Sequence, residues 1–184
     1  MGKKQRERAT QEWNDYQLAL DLQKEKSASS SGKALVSKHP QLETVLIEFA
    51  CSDDSKLSAV ATAEFKWKSE RLAKSRWDLS TNEGIQKVRE MIERIPNDAI
   101  IHLHGSCPCT AWSAWQHYNL KKHPHLKEKI ESERKISIQM VQDFCELAVL
   151  IMKKNIKSTV SFEWPKDASG WKVPEILEAL SKAN

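Results

Sequence analysis

The sequence predicts an α/β domain of the Rossmann-like kind, a three-layer αβα arrangement around a mostly parallel sheet. Short, nearly continuous apolar runs, TVLIEFA at 44–50 and AIIHLHG at 99–105, have the composition of strands buried on both faces of a parallel sheet. Segments with helical apolar spacing separate the strands, as strand–helix–strand crossovers require. The polar turns after the strands carry most of the chemically versatile side chains, and ligands of open parallel sheets gather at those carboxyl ends.

The chain has 184 residues, 40% apolar and 29% charged, with a formal charge of +4. That is enough for one ordinary domain and a tail, and the mild positive balance permits a polyanionic partner without demanding one. Residues 1–26 are highly charged and rich in helix formers, and SASSSGK at 27–33 reads as a flexible linker. The expected organisation is an appended, partly helical arm at 1–33 and a domain over 42–184. KKQRER at 3–8 suits a nuclear address or a nucleic-acid contact, a solvated charged tail being the plainer reading.

After the first strand, CSDDS offers Ser52, Asp53, Asp54 and Ser55 as helix caps, and KLSAVATAEF at 56–65 reads as a short helix. A short strand is expected near 69–73. Ser80 and Glu83 have the capping-box spacing, and Ile85, Val88, Ile92 and Ile95 make one apolar stripe that ends at Pro96. Residues 105–119 read as a loop rich in aromatics and sulfur. A long helix follows over 126–155, with Ile138, Val141, Cys145, Ala148 and Met152 on one face. STVSFEW at 158–164 reads as a strand, KDASGWK as a loop, and VPEILEAL as the start of an amphipathic helix.

No apolar run approaches the roughly 20 residues of a membrane span, and MGKKQRERATQEW lacks the apolar core of a secretory signal. Four cysteines in a chain of this length do not make a disulfide scaffold. The expectation is an intracellular protein, cytoplasmic or nuclear, with reduced thiols and no membrane partner.

Cys109 follows Pro108 just beyond a buried strand, where turn N–H groups can favour a thiolate. Glu163 stands at the end of the next strand, so a cysteine nucleophile and a substrate-positioning carboxylate can be paired. Two structural thiols and a satisfied carboxylate account for the same spacing. Trp112, Trp115, His117 and Tyr118, followed by Lys121, Lys122 and His123, suit a nucleic-acid groove with stacking platforms; a hydrophobic lid is the alternative. His102, His104, Cys107 and Cys109 form H-x-H-x-x-C-x-C, which resembles zinc-ligand content. A strand and a loop converge four ligands poorly, so these histidines are read as structural and no metal site is expected.

GSCPCTAWS resembles the Pro-Cys motif of the DNA cytosine-5 methyltransferases, with Pro108, Cys109 and Ser113 matching and Thr110 and Trp112 replacing a glutamine and a phenylalanine. VLIEFACSDDS resembles the same family's first motif, with Phe49 matching. RWDLST resembles its short Asp motif through Asp78, and SFEWP its Glu-Asn-Val motif through Glu163. The four lie in the family's order over about 45–165. The set is also similar to methyltransferase-like segments of retroelement-type polyproteins.

The resemblance implies an S-adenosylmethionine-dependent methyltransferase acting on a cytosine turned out of its helix. Cys109 would be the nucleophile and Glu163 the carboxylate holding the base. Phe49, Ser52, Asp53, Asp78 and Pro108 would contact the cofactor; Trp112, Trp115, Lys121 and Lys122 would contact nucleic acid. The chain departs from the family in several places. It has five glycines, none between Gly32 and Gly84, so Ser52 and Asp53 are expected to make a turn that glycines usually make. Trp164 and Pro165 stand where Asn and Val are expected, and Glu64 and Glu70 are both candidates for the ribose. The resemblance also implies further strands and a target-recognition region downstream, which makes this chain a fragment or a reduced domain. The competing expectation is a non-catalytic interaction domain on the same scaffold.

Overall fold

The structure is a computed structural model that describes residues 42–183; the expected arm at 1–33 lies outside the described residues. Five consecutive buried residues, Val45 to Phe49, make β1 (Thr44–Phe49) a central strand. β3 (Ile100–Gly105) lies beside it, buried at alternate positions. The flanking strands are β2 (Lys68–Leu72) and β4 (Thr159–Phe162), whose outward side chains are charged or hydroxylic. Such residues suit sheet edges, because they discourage pairing with another chain. The order is β2-β1-β3-β4 and every pairing is parallel. Phe49 stands beside Leu72 on one side and Gly105 on the other, and Gly105 stands beside Phe162, so the four carboxyl ends are level on one rim.

The protein is therefore an α/β domain with a four-stranded parallel sheet and five α-helices among the described residues, consistent with a Rossmann-like αβα fold. The helices are α1 (Lys56–Phe65), α2 (Asn82–Arg94), α3 (Trp115–Lys122), α4 (Lys127–Lys154) and α5 (Pro174–Lys182). Strand alternation divides β1 between two faces. Val45, Ile47 and Phe49 join the main core with Ile85, Val88 and Ile92 of α2 and Val141, Phe144 and Ile151 of α4. Leu46 and Glu48 point to the other face, which carries α1. Chain order reverses between β1 and β3, since β1 leads to β2 on one side and β3 to β4 on the other. That reversal defines the switch point where open α/β sheets take ligands.

Two local expectations are corrected. The start of α2 is capped by Thr81, whose Oγ1 accepts from the Gly84 N–H at 3.1 Å, not by a Ser80–Glu83 box. Ser80 is drawn away because its hydroxyl donates to Asp78 Oδ1 at 2.5 Å. The stretch 105–119 is not a plain loop: it contains a 3₁₀ turn, Thr110–Trp112, and most of α3. The short strand expected near 69–73 runs Lys68–Leu72.

Gly105 ends β3 directly beneath Phe144. A Cβ there would come within 2.5 Å of the Phe144 ring, which packs against Phe49 at 5.6 Å and Phe162 at 5.4 Å between centroids. Overpacking a filled core costs roughly 1–3 kcal/mol. Gly105→Ala should lower the stability by that amount in urea denaturation, and Phe144→Leu in the same chain should restore part of the loss.

Candidate functional site

The turn after β1 is made by Ala50, with φ of 61°. The left-handed region is costly for a residue with a Cβ. It is held by Ser106, whose N–H donates to Phe49 O at 3.1 Å and whose hydroxyl donates to Ala50 O at 3.4 Å. Ser52 and Asp53, expected to make the turn, take part in it further along, where the Ser55 N–H donates to Ser52 O at 3.2 Å. Asp53 accepts from the Ser75 hydroxyl through its carboxyl group, and its carbonyl accepts from Arg71 Nη1 at 3.0 Å. It thereby latches the turn to the segment after β2.

Glu48, 2% exposed, is the one charged residue of β1. Its Oε1 accepts from the Ser55 hydroxyl at 2.5 Å, and its Oε2 from the Ser58 N–H at 2.9 Å and from the Ser58 hydroxyl. The carboxyl group thus caps α1, at the helix N-terminus that binds phosphate in many Rossmann-type folds.

Two depressions open at the rim, and Cys51 lines both. The first is a cleft of about 220 Å³ between the ends of β1, β2 and β3. Its walls are apolar, from Leu72, Trp77, Leu79, Pro108, Ile136 and Met140, and Lys74, Asp78 and Ser80 stand among them. The Ser80 hydroxyl, and then its backbone N–H, hold the Asp78 carboxyl below the usual carboxylate range. Both bonds end on Oδ1. The second is an open groove of about 570 Å³ with Glu48, Ser52, Asp54 and Ser55 on one side and His104, Ser106 and Glu163 on the other. His104 accepts or donates through Nδ1 to the Ser161 hydroxyl at 2.9 Å, and its Nε2 lies 3.7 Å from Glu163 Oε1. The rung below repeats the pairing, His102 Nδ1 to Thr159 Oγ1 at 2.6 Å.

Asp78 and Pro108, both read as cofactor contacts, meet in the apolar cleft, and Ser52 lines the polar groove. Phe49 is fully buried in the core beneath the rim. Glu64 and Glu70 are exposed and line neither depression. Cys109 is half-buried at the start of the 3₁₀ turn, next to the Pro108 that lines the cleft. Glu163 is 68% exposed and lines the groove. Among the described residues no hydrogen bond or ion pair joins them, although the two loops touch: Trp164 Nε1 donates to Cys107 O at 2.6 Å. Trp112 is buried, its Nε1 donating to the Ser137 hydroxyl at 2.9 Å, whereas Trp115, Lys121 and Lys122 are exposed. The histidines and cysteines of H-x-H-x-x-C-x-C do not converge. Among the described residues no three His, Cys, Asp or Glu side chains gather to hold an ion.

Sequence reasoning misses two residues of the site. Cys51 directly follows the apolar run, and that position is the signal that could find it. Glu48 is visible as the lone charge inside TVLIEFA. Among the described residues no helix is long and apolar enough to cross a membrane. No family model matches the chain, and neither a curated protein nor a solved structure is significantly similar to it.

Burial raises the thiol pKa of three cysteines. At Cys51 burial is reinforced by the neighbouring Glu48; Cys107 is pushed up strongly; Cys145 is pushed up to about 11. Raised values mean less thiolate near neutral pH, and the thiolate is the nucleophile. Iodoacetamide at neutral pH should therefore label Cys109 before the other three, as read by peptide mass mapping. Labelling Cys107 first would contradict its burial.

Glu48→Ala would leave the Ser58 N–H and hydroxyl unpaired inside the fold. At about 1–3 kcal/mol for each buried group left without a partner, stability should fall by roughly 2–6 kcal/mol in urea denaturation. Glu48→Gln, which keeps one acceptor oxygen, should lose less than half of that.

Proposed function

We propose that this domain is a cytosine-5-methyltransferase-like protein that takes the nucleoside end of S-adenosylmethionine into the apolar cleft. The observation that carries the reading is the convergence of Cys51, Asp78 and Pro108 on one cleft at the switch point, between apolar walls. About 220 Å³ is small for a whole drug-sized ligand, for which about 300 Å³ is a usual lower bound, and suits a purine nucleoside. Trp77 and Leu79 offer surfaces for the ring, and Asp78 Oδ2 offers an acceptor for an amino or hydroxyl group. Bound there, S-adenosylmethionine supplies an electrophilic methyl group. Cys109, one residue beyond the cleft wall, is the group that adds to C6 of a cytosine. The Cys109 thiol would be released again as the C5 proton is lost to a base and the ring regains its double bond. Glu163 is the carboxylate that would hold the N3 and amino edge, which requires it to turn from His104. The four free thiols agree with a reducing, intracellular setting.

A non-catalytic binding domain is the second reading, favoured by one observation: Glu163 lines a different depression from the one beside Cys109.

Calorimetry with S-adenosylmethionine or its demethylated product should show binding that Asp78→Ala weakens. DNA containing 5-fluorocytosine should then trap the protein covalently, and Cys109→Ser should abolish trapping while Cys107→Ser leaves it. Binding without trapping would remove the nucleophile role from Cys109. No heat at millimolar ligand would select the second reading, a scaffold that has lost the cofactor.

A further inference from the structure

We propose that α3 is a docking strip for single-stranded nucleic acid, with Trp115 and Tyr118 stacking on bases and Lys121 and Lys122 meeting phosphates. The strip is a surface apart from the cofactor cleft, and its action requires no cofactor.

Trp115 is 74% exposed and Tyr118 50% exposed, in a domain that buries or half-buries its other described tryptophans. The two rings lie edge to face, 6.4 Å apart, and the Lys122 ammonium sits 4.7 Å from the Tyr118 ring centroid. Positions 115, 118 and 122 share one side of a helix. Large aromatic area in water is unfavourable unless a partner covers it, and a base offers a face of matching size and polarity. The helix beneath is fixed. Gln116, 8% exposed, donates through Nε2 to Thr110 O at 3.0 Å, and Asn119 donates to Gln116 Oε1 at 3.1 Å. The strip is therefore presented on a rigid support, which lowers the ordering cost of binding.

Charge selects the partner. From Ala99 to Lys127 the sequence has no aspartate or glutamate, and it contains five of the chain's six histidines, His102, His104, His117, His123 and His125. Among the described residues neither Lys121 nor Lys122 pairs with a carboxylate, while Glu131, at the start of α4, lies 3.9 Å from Lys127. Exposed aromatic faces with unneutralised cations match a polyanion whose bases are unstacked; a duplex keeps those faces hidden.

The test uses the full chain and fluorescently labelled oligothymidine and oligouridine of about 12 nucleotides, with a DNA duplex of equal length. Anisotropy should show binding to one or both single strands in preference to the duplex. Trp115→Ala should weaken it about tenfold, the size expected for loss of one stacked base, and Trp115→Phe should retain most of the affinity. Because Trp115 is largely exposed, both variants should fold, which circular dichroism checks. Lys121→Ala and Lys122→Ala should each flatten the log–log salt dependence by about 0.7. Tryptophan fluorescence should fall on binding, and that change should be smaller in Trp115→Phe. Unchanged affinity in Trp115→Ala, equal or better binding of the duplex, or no binding of either single strand would overturn the proposal. None of these outcomes bears on the cleft, which calorimetry reads separately.

Discussion

A row of aromatic rings holds the rim on which everything else is placed. It runs from Phe49 to Phe144 at 5.6 Å, to Phe162 at 5.4 Å, to Trp164 at 5.4 Å and to Trp171 at 5.5 Å, in edge or tilted contact throughout. Offset and edge contacts of this kind stabilise beyond their buried area by about 0.5–1.5 kcal/mol a pair. The row ties a central strand, the long helix α4, an edge strand and the loop that follows it. Trp112 joins it from the side, 6.2 Å from Trp164, with Arg134 over its face at 5.2 Å. Gly105 and Gly170 are what let these rings lie close, since a Cβ at either would strike Phe144 or Trp164. The Trp164 indole is therefore structural, because it fixes the β4 exit to the carbonyl of Cys107.

The first βα turn shows how a glycine-poor chain solves a problem usually solved by glycine. Ala50 accepts the left-handed conformation at a cost of roughly 1–2 kcal/mol, offset by two bonds from Ser106. The short CSDDS turn is stiffened by Asp53 reaching the segment after β2. Glu48 supplies from inside the sheet the acceptor that the start of α1 lacks, because Ser55 makes no side-chain capping bond of its own. This arrangement fills the anion position of the fold with the chain's own carboxyl group. A ligand of the switch point then has to be held by the apolar walls and the polar groups of the cleft, Asp78 among them, and not by the α1 N-terminus.

Much of this was legible. TVLIEFA and AIIHLHG could be read as parallel strands from their short apolar, β-branched runs, although only β1 is buried along its length and β3 is buried at alternate positions. The stripe Ile85, Val88, Ile92 marked α2, and the level ends of the strands followed from the α/β order. α3 was not legible: WQHYNLKK has one buried residue, Gln116, and so no apolar period to detect. Its stability comes from tertiary bonds to the preceding turn. The capping of α2 moved by one residue because Asp78 competes for Ser80, and local spacing does not register such competition. Trp112 was read as a nucleic-acid contact, yet it faces inward. An aromatic in a loop looks the same in sequence whether it lines a site or floors it, and only the position of Ser137, 25 residues on in the chain, decides the matter for Trp112.

The separation of the two depressions by Cys51 bears on chemistry more than on binding. The apolar cleft is built from β1, β2 and β3 ends, whereas the polar groove needs β4, through Glu163, to close its far side. A reaction that used Cys109 and Glu163 together would have to draw a substrate across the Cys51 boundary, over Pro108 and Ser106. Those two residues sit on the same short segment, pinned at one end by Ser106 to Phe49 and Ala50 and at the other by the Ser137 hydroxyl, which donates to Pro108 O at 3.0 Å. The segment is held at both ends, so it acts as a fixed partition. Any movement that unites the two sides must come from the exposed Glu163 side chain, which gives up only a 3.7 Å approach to His104. An exposed pair of that kind is worth little, so the carboxylate is the mobile partner and the sulfur the fixed one.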